Sequence, residues 1–206
     1  NNRVISIAKD GSYFYIKTEN PDYNIYKSQK LLIASGGKAG PFFSFGAGMY
    51  DIIKSLGHSI VTLLPGIVQL KLNHNNLRAL KGVRFYAQTT VYINDIIVGN
   101  EFDEVLFTDY GISGPAVLKL SRHASTGTFL KQKIDIMLDL FPDKNDKDLI
   151  DKLSSYIAMF PERTVFQALI GIINKRLIPV VLQDAGIADI HKTSSSLRYG
   201  EILSIF

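Results

Sequence analysis

The sequence predicts an α+β chain built in parts: a β-meander with a strand–turn–helix piece, then a small β-barrel followed by a helical bundle. Three observations predict it. Residues 3–27 alternate apolar and polar side chains, the period of a half-buried strand. A glycine-rich junction, Leu31–Gly48, joins an apolar run to a helical pattern. From Ser59 the chain breaks into short apolar runs at close spacing, and from Pro142 the period lengthens to that of a helix.

In the first part, Arg3–Ala8 and Ser12–Thr18 read as strands joined by the turn signal Asp10-Gly11, and Asn24–Lys27 reads as a third strand. Leu31-Leu32-Ile33-Ala34 reads as a buried strand running into Ser35-Gly36-Gly37, Gly40-Pro41 and Gly46-x-Gly48. Met49–Leu56 follows as a helix, with Gly57 as its C-cap and His58 beyond it. Strand, glycine turn and helix in that order are the parts of a nucleotide-binding crevice. Ser35, Gly36 and Gly37 are therefore candidate cofactor contacts, through backbone amides left bare by glycine. The alternative is that the glycines only permit a tight strand exit. Neither the Walker A pattern nor G-x-G-x-x-G is present.

In the second part, Ile60–Leu64, Ile67–Leu72, Val83–Ala87, Thr89–Ile93, Ile96–Val98, Val105–Thr108 and Phe129–Leu138 read as strands. Glu101, Asp103 and Glu104 read as a solvated loop. Within this region lies Thr108-Asp109-Tyr110-Gly111-Ile112-Ser113-Gly114-Pro115-Ala116. It approaches a nucleophile elbow, but Pro115 occupies the place of the required last glycine. Ser113 or Gly114 capping a short helix over Val117–His123, with Pro115 in the first turn, is the simpler reading. The third part reads as four helices, Asp143–Phe160, Pro161–Asn174, Leu177–Ala185 and Thr193–Phe206.

Composition narrows the function. Of 206 residues, 46% are hydrophobic and 20% charged, as expected of a soluble globular protein. The absence of cysteine excludes disulfides, thiolate metal sites and thiol nucleophiles. His58, His74, His123 and His191 lack metal-ligand spacing. The net charge of +4 is scattered, which predicts no nucleic-acid partner. No run is long enough to span a membrane and no signal peptide is visible, so no membrane partner and a cytoplasmic location are expected. The chain begins at Asn1 inside strand-like sequence and stops at Ile205-Phe206 without a capping signal, as an internal fragment would.

The motifs taken together resemble the BaiN-like family of bacterial NAD(P)/FAD-dependent flavoproteins. The residues that carry the resemblance are Ala34–Ala39, Ser55–His58, Val68–Lys71, Leu80–Arg84 and, most specifically, Leu106–Ala116. The resemblance implies a flavin-binding α/β domain interrupted by an inserted domain. Residues 1–58 would be part of the flavin domain. Residues 59–206 would be the insert, barrel-like over 59–140 and helical over 141–206. It places Ser35, Gly36 and Gly37 beside FAD, with Ser35 where the family usually has Thr, and Tyr110, Gly111, Ile112 and Ser113 toward a substrate cleft. Gly46 and Gly48 stand one place earlier relative to Tyr50 than the family's glycines. The family's pyrophosphate loop and its C-terminal glycine-rich segment are absent. The expectation is an internal portion of a flavin-dependent NAD(P)H oxidoreductase that retains no FAD and has no activity alone, with an unidentified small-molecule substrate and a possible homo-oligomeric state. The alternative is a non-catalytic insert acting as a substrate lid or interaction module.

Overall fold

The computed structural model describes residues 2–22, 24–39 and 47–206, the side chain of Ala47 excepted. They group into two compact units, Asn1–Leu63 and Leu64–Phe206.

Unit 1 begins with an antiparallel meander, β1 (Val4–Asp10), β2 (Tyr13–Thr18) and β3 (Ile25–Ser28), paired in that order. Asp10 pairs with Tyr13, and Gly11 takes φ +56° in the intervening turn, a conformation that glycine adopts without strain. Lys27 lies over the Tyr13 ring, with its Nζ 4.0 Å from the centroid. Leu31–Ala34 does not form the expected strand. A strand needs a partner ladder, and none of the described residues supplies one; Leu32 is 90% exposed. Residues 40–46 of the glycine-rich junction, including Gly40-Pro41 and Gly46, lie outside the described residues. Helix α1 (Ala47–Ser55) ends as expected at Gly57, with φ +90°. The Gly57 amide donates to the Lys54 carbonyl at 2.9 Å and the His58 amide to that of Ile53 at 3.3 Å, so two terminal carbonyls of the helix are satisfied.

Unit 2 is a five-stranded antiparallel sheet, curled into a half-barrel and covered by helices. Its elements are β4 (Leu70–Lys71), α2 (Leu77–Leu80), β5 (Arg84–Ile93), β6 (Ile96–Phe107), β7 (Gly111–Ser113), α3 (Pro115–Phe129) and β8 (Ile134–Asp139). The strand order is β4-β7-β6-β5-β8. Asn94 and Asp95 both take positive φ at the β5–β6 hairpin, the requirement of a type I′ turn.

Four expectations change here. Val83–Ala87 and Thr89–Ile93 are one strand, as are Ile96–Val98 and Val105–Thr108 less its last residue. Glu101, Asp103 and Glu104 are strand residues, not a loop. Lys119 reaches Glu101 at 3.3 Å and Asp103 at 3.6 Å, and Arg84 reaches Glu104 at 3.1 Å. Ile60–Leu64 forms no strand, and only Leu70–Lys71 of the Ile67–Leu72 run pairs. The short helix expected at Val117–His123 is 15 residues long and absorbs the start of the Phe129 run. It approaches the sheet closely where glycine allows it: a Cβ on Gly99 would stand 2.9 Å from Leu120.

The C-terminal part holds α4 (Asp146–Met159), α5 (Val165–Leu169), α6 (Ile178–Asp184), a 3-10 turn at Ser194–Ser196 and α7 (Tyr199–Leu203). Asn145 caps α4 by accepting from the Asp148 amide, and Thr164 with Gln167 closes a capping box on α5. The helices expected at Pro161–Asn174 and Thr193–Phe206 are shorter than their apolar patterns, because local caps at Thr164 and Arg198 set their starts. Ala87, Val105 and Ile112 of the sheet share one core with Leu153, Leu169, Ile178 and Leu182 of the helices.

Candidate functional site

In unit 1, Ser35 lines a cleft of about 740 Å³ between the start of the meander and α1. Asn2–Ser6 form one wall. Gly48, Met49, Ile52 and Ser55 of α1 form another. Gly36 takes φ +76°, and a Cβ on Gly37 would stand 3.2 Å from the Tyr50 hydroxyl, so backbone passes α1 closely there. Gly36 and Gly37 adjoin the cleft through Ser35 and are not in its lining. Hydroxyls of Ser35 and Ser55 stand beside the apolar side chains of Val4, Ile5, Met49 and Ile52, a mixture that suits a planar ring with a polar edge. Charge in the lining is balanced. Arg3 is paired with Glu19 at 3.4 Å, and Asp51 adds a carboxylate. The described residues therefore fit the ring portion of a flavin better than its diphosphate.

In unit 2, the Thr108–Ala116 block is first an architectural device. Gly111 pairs with Lys71, and a Cβ there would stand 1.9 Å from the Leu70 carbonyl oxygen. Gly114 is the N-cap of α3 at φ +104°, with the Glu104 carbonyl oxygen 2.4 Å from where its Cβ would be. Pro115 follows in the first turn, and no side chain caps the helix. Ser113 is 7% exposed within β7, paired with Leu106. Among the described residues no histidine or carboxylate is hydrogen-bonded to its hydroxyl, so it lacks the base that a nucleophile needs. Gly111 and Ile112 are buried with it.

Tyr110 differs. It is 43% exposed, and its hydroxyl donates to the Gln69 side-chain carbonyl. It lines a groove of about 670 Å³ with Lys71, Asn73, His74, Asn75, Arg78 and Asp109. The groove is held from both sides. The Leu72 amide donates to the Tyr110 carbonyl at 3.1 Å, and the Asn76 amide side chain donates to Gln183 of α6 at 2.7 Å. His74 meets Asp184 at 3.3 Å, and Lys81 meets Asp109 at 3.3 Å. Sequence reasoning singled out Tyr110 at this groove but not Asn73, Asn75 or Arg78, and weighed His74 only as a metal ligand.

Among the described residues no group of three or more His, Asp or Glu could hold a metal, and no helix is long and apolar enough to cross a membrane.

The family model described as HI0933-like protein barrel and H2TH domain matches residues 64–206, the span of unit 2. The chain belongs to the HI0933-like family. The membership agrees with the resemblance carried by the Leu106–Ala116 block. Among curated relatives, the 3-dehydro-bile acid delta(4,6)-reductase of Clostridium scindens is 27% identical over 181 residues, covering 88% of this chain and 44% of that protein. The ribosomal RNA dihydrouridine synthase of Escherichia coli is 27% identical over 198 residues, covering 95% of this chain and 46% of the relative. That of Haemophilus influenzae is 25% identical over 175 residues, covering 81% and 40%. The chain thus spans less than half the length of the curated relatives it matches.

Proposed function

We propose that this chain is the internal portion of a flavin-dependent NAD(P)H reductase, with Ser35, Gly36 and Gly37 beside FAD and the HI0933-like unit serving the substrate. The observation that carries the reading is family membership shared with two kinds of relative whose names describe reduction, one of a bile acid and one of a uridine base. Saturating a carbon–carbon double bond takes a hydride and a proton, and protein side chains do not supply the hydride. FAD, reduced by NAD(P)H, is the group that would supply it when bound.

The chain's own residues bind and orient. Ser35 offers a hydroxyl at the cleft, and Gly37 keeps the backbone free of a Cβ that would meet Tyr50. Met49 and Ile52 exclude water from the apolar wall. With Arg3 engaged by Glu19 and Asp51 nearby, the cleft holds little positive charge for a diphosphate. The 206 residues alone are accordingly expected to bind FAD weakly and to oxidise no NAD(P)H.

The test is a titration of the chain with FAD, followed by flavin fluorescence, beside Gly37→Val with circular dichroism as the folding control. Weak binding by the parent sequence, loosened at least tenfold in a folded Gly37→Val, is expected. Equal affinities would remove the glycines from the site. Stoichiometric flavin carried through purification would overturn the expectation of weak binding.

A further inference from the structure

We propose that β8 is a dimerisation edge: it pairs antiparallel with β8 of a second copy of this chain, across a two-fold axis at Ile136 that sets Lys133 of each copy against the partner's Asp139. The pairing involves unit 2 alone and needs no flavin.

The edge comes first. β8 ends the order β4-β7-β6-β5-β8, so among the described residues only β5 pairs with it. The Asn94 amide donates to the Lys133 carbonyl at 3.0 Å. Antiparallel pairing alternates, so Lys133, Asp135, Met137 and Asp139 turn their main-chain groups toward β5. Ile134, Ile136 and Leu138 turn theirs outward, where no described strand meets them. Beside this edge lies a hollow of about 850 Å³, walled by Leu70, Leu72, Phe129, Ile134 and Ile136. Phe129 is 56% exposed there. An edge of 6 residues with an apolar flank is a template for an added strand.

Charge selects the occupant. One end of β8 carries Lys131 and Lys133, both exposed, and Lys133 reaches Asp95 at 3.0 Å and Asp135 at 2.9 Å. The other end carries Asp139. One of its carboxylate oxygens accepts from the Phe141 amide at 2.8 Å, and among the described residues no cation pairs with it. A strand with cations at one end and a free acid at the other complements its own antiparallel copy. Outward main-chain groups must meet outward groups, so the axis passes through a residue position. Centred on Asp135, two aspartates stand directly opposite each other. Centred on Met137, Asp135 meets the partner's Asp139. Like charges so placed are unfavourable. Centred on Ile136, Lys133 meets the partner's Asp139 twice over, and Ile134 meets the partner's Leu138. The apolar rows then join on the face that packs against the core, so charge and apolar pattern choose one register. A nucleic acid or an acidic peptide laid along the edge would meet Asp135 and Asp139 instead.

The experiment is analytical ultracentrifugation of the 206-residue chain from about 2 to 200 μM, with urea midpoints as the folding control for each variant. A monomer–dimer equilibrium is expected in that range. Lys133→Met and Asp139→Asn should each weaken the dimer about tenfold, and Asp139→Asn keeps the oxygen that accepts from Phe141. The double variant should be within about threefold of either single one, because all three remove the same contact. Six positions along one strand separate the two side chains by about 20 Å, so this coupling arises only between two copies. The chain has no cysteine, so a single introduced one reports the register. Ile136→Cys, with Cα atoms about 5.5 Å apart across the axis, should oxidise to a covalent dimer with diamide as the oxidant. The more exposed Met137→Cys should do so about tenfold more slowly. A chain that stays monomeric at the highest concentration, additive losses in the double variant, or equal cross-linking of the two cysteine variants would overturn the proposal. So would a dimer lost in Tyr86→Ser with Phe102→Ser and kept in Lys133→Met, which would place the interface on the exposed Tyr86–Phe102 pair.

Discussion

The Leu70 carbonyl oxygen lies 1.9 Å from where a Cβ on Gly111 would be. This close approach joins β4 to β7 at the edge of the half-barrel, where Leu70 pairs with Ile112 and Lys71 with Gly111. Backbone sets the distance, so no rotamer change relieves it. Gly111→Ala should destabilise the chain by about 3 kcal/mol or more, since the short β4 has to shift. Gly114→Ala combines a 2.4 Å approach to the Glu104 carbonyl oxygen with φ +104°, and should cost a similar amount. Gly200 in α7 has open space around its missing Cβ, and Gly200→Ala should stabilise by about 0.5–1 kcal/mol. Urea denaturation of the three variants checks the ranking, and a neutral Gly111→Ala would show that β4 moves freely.

Sheet and helices of unit 2 share a core, which gives a second prediction. Leu153 on α4 is fully buried in the cluster that includes Ala87 and Val105. Leu153→Ala should cost about 2–5 kcal/mol, through the apolar burial removed and the cavity left behind. The loss should lower the midpoint read by near-ultraviolet signals from the sheet as much as that read from helix ellipticity. Separate transitions would mean that the helices fold as a body of their own.

Much of this was legible in the sequence for stated reasons. The meander follows from period-two alternation and Asp10-Gly11. Helix α4 follows from its apolar spacing and acidic first turn, and the start of α3 from Gly114-Pro115. What could not be read was pairing. Leu31–Ala34 and Ile60–Leu64 have strand-like composition without a ladder, whereas Glu101–Glu104 has charged composition within one. A strand with one wet face carries charge where Lys119 and Arg84 can meet it, and composition alone does not distinguish that from a loop. At the sites, Ser35 and Tyr110 stood out beside glycines. Arg78, His74 and Asn76 did not, because their partners or groove neighbours lie far along the chain, at positions 109–110 and 183–184.

Glu201 supplies a pH dependence. The Arg198 backbone amide donates to one of its carboxylate oxygens at 2.8 Å and the Lys192 ammonium to the other at 2.6 Å. The amide bond first, and the lysine second, hold the carboxyl below its ordinary value of 4.5. A carboxyl with a lowered pKa in the folded state binds protons more readily when unfolded. Its contribution is therefore complete above the unfolded value and is lost as pH falls through the folded one. Glu201→Gln should be less stable than the parent sequence at pH 7. The gap should narrow below about pH 4.5, the ordinary carboxyl value. Denaturation midpoints of both proteins from pH 7 to pH 3 check this, and a gap independent of pH would assign the effect to packing instead.

Burial also differs sharply between the units. Among the described residues of Asn1–Leu63, only Ile7 and Thr18 are buried, while Ile5, Ile25, Tyr26, Leu32, Val61 and Leu63 are exposed. Leu64–Phe206 holds the large apolar cluster. Local stability follows buried apolar packing, so opening should be frequent in unit 1 and rare in unit 2. Brief trypsin treatment should cut first at exposed sites such as Lys27, Lys30 and Lys54, and leave a resistant product close to residues 64–206. Mass spectrometry of the products identifies the cuts. Early cleavage at Lys147 or Lys152 on α4 with unit 1 intact would reverse the assignment. The same experiment with FAD present joins this prediction to the proposed cleft. A ligand that binds the folded unit protects it by mass action, so saturating FAD should slow cleavage at Lys54, three residues beyond Asp51 of the cleft, more than cleavage within unit 2.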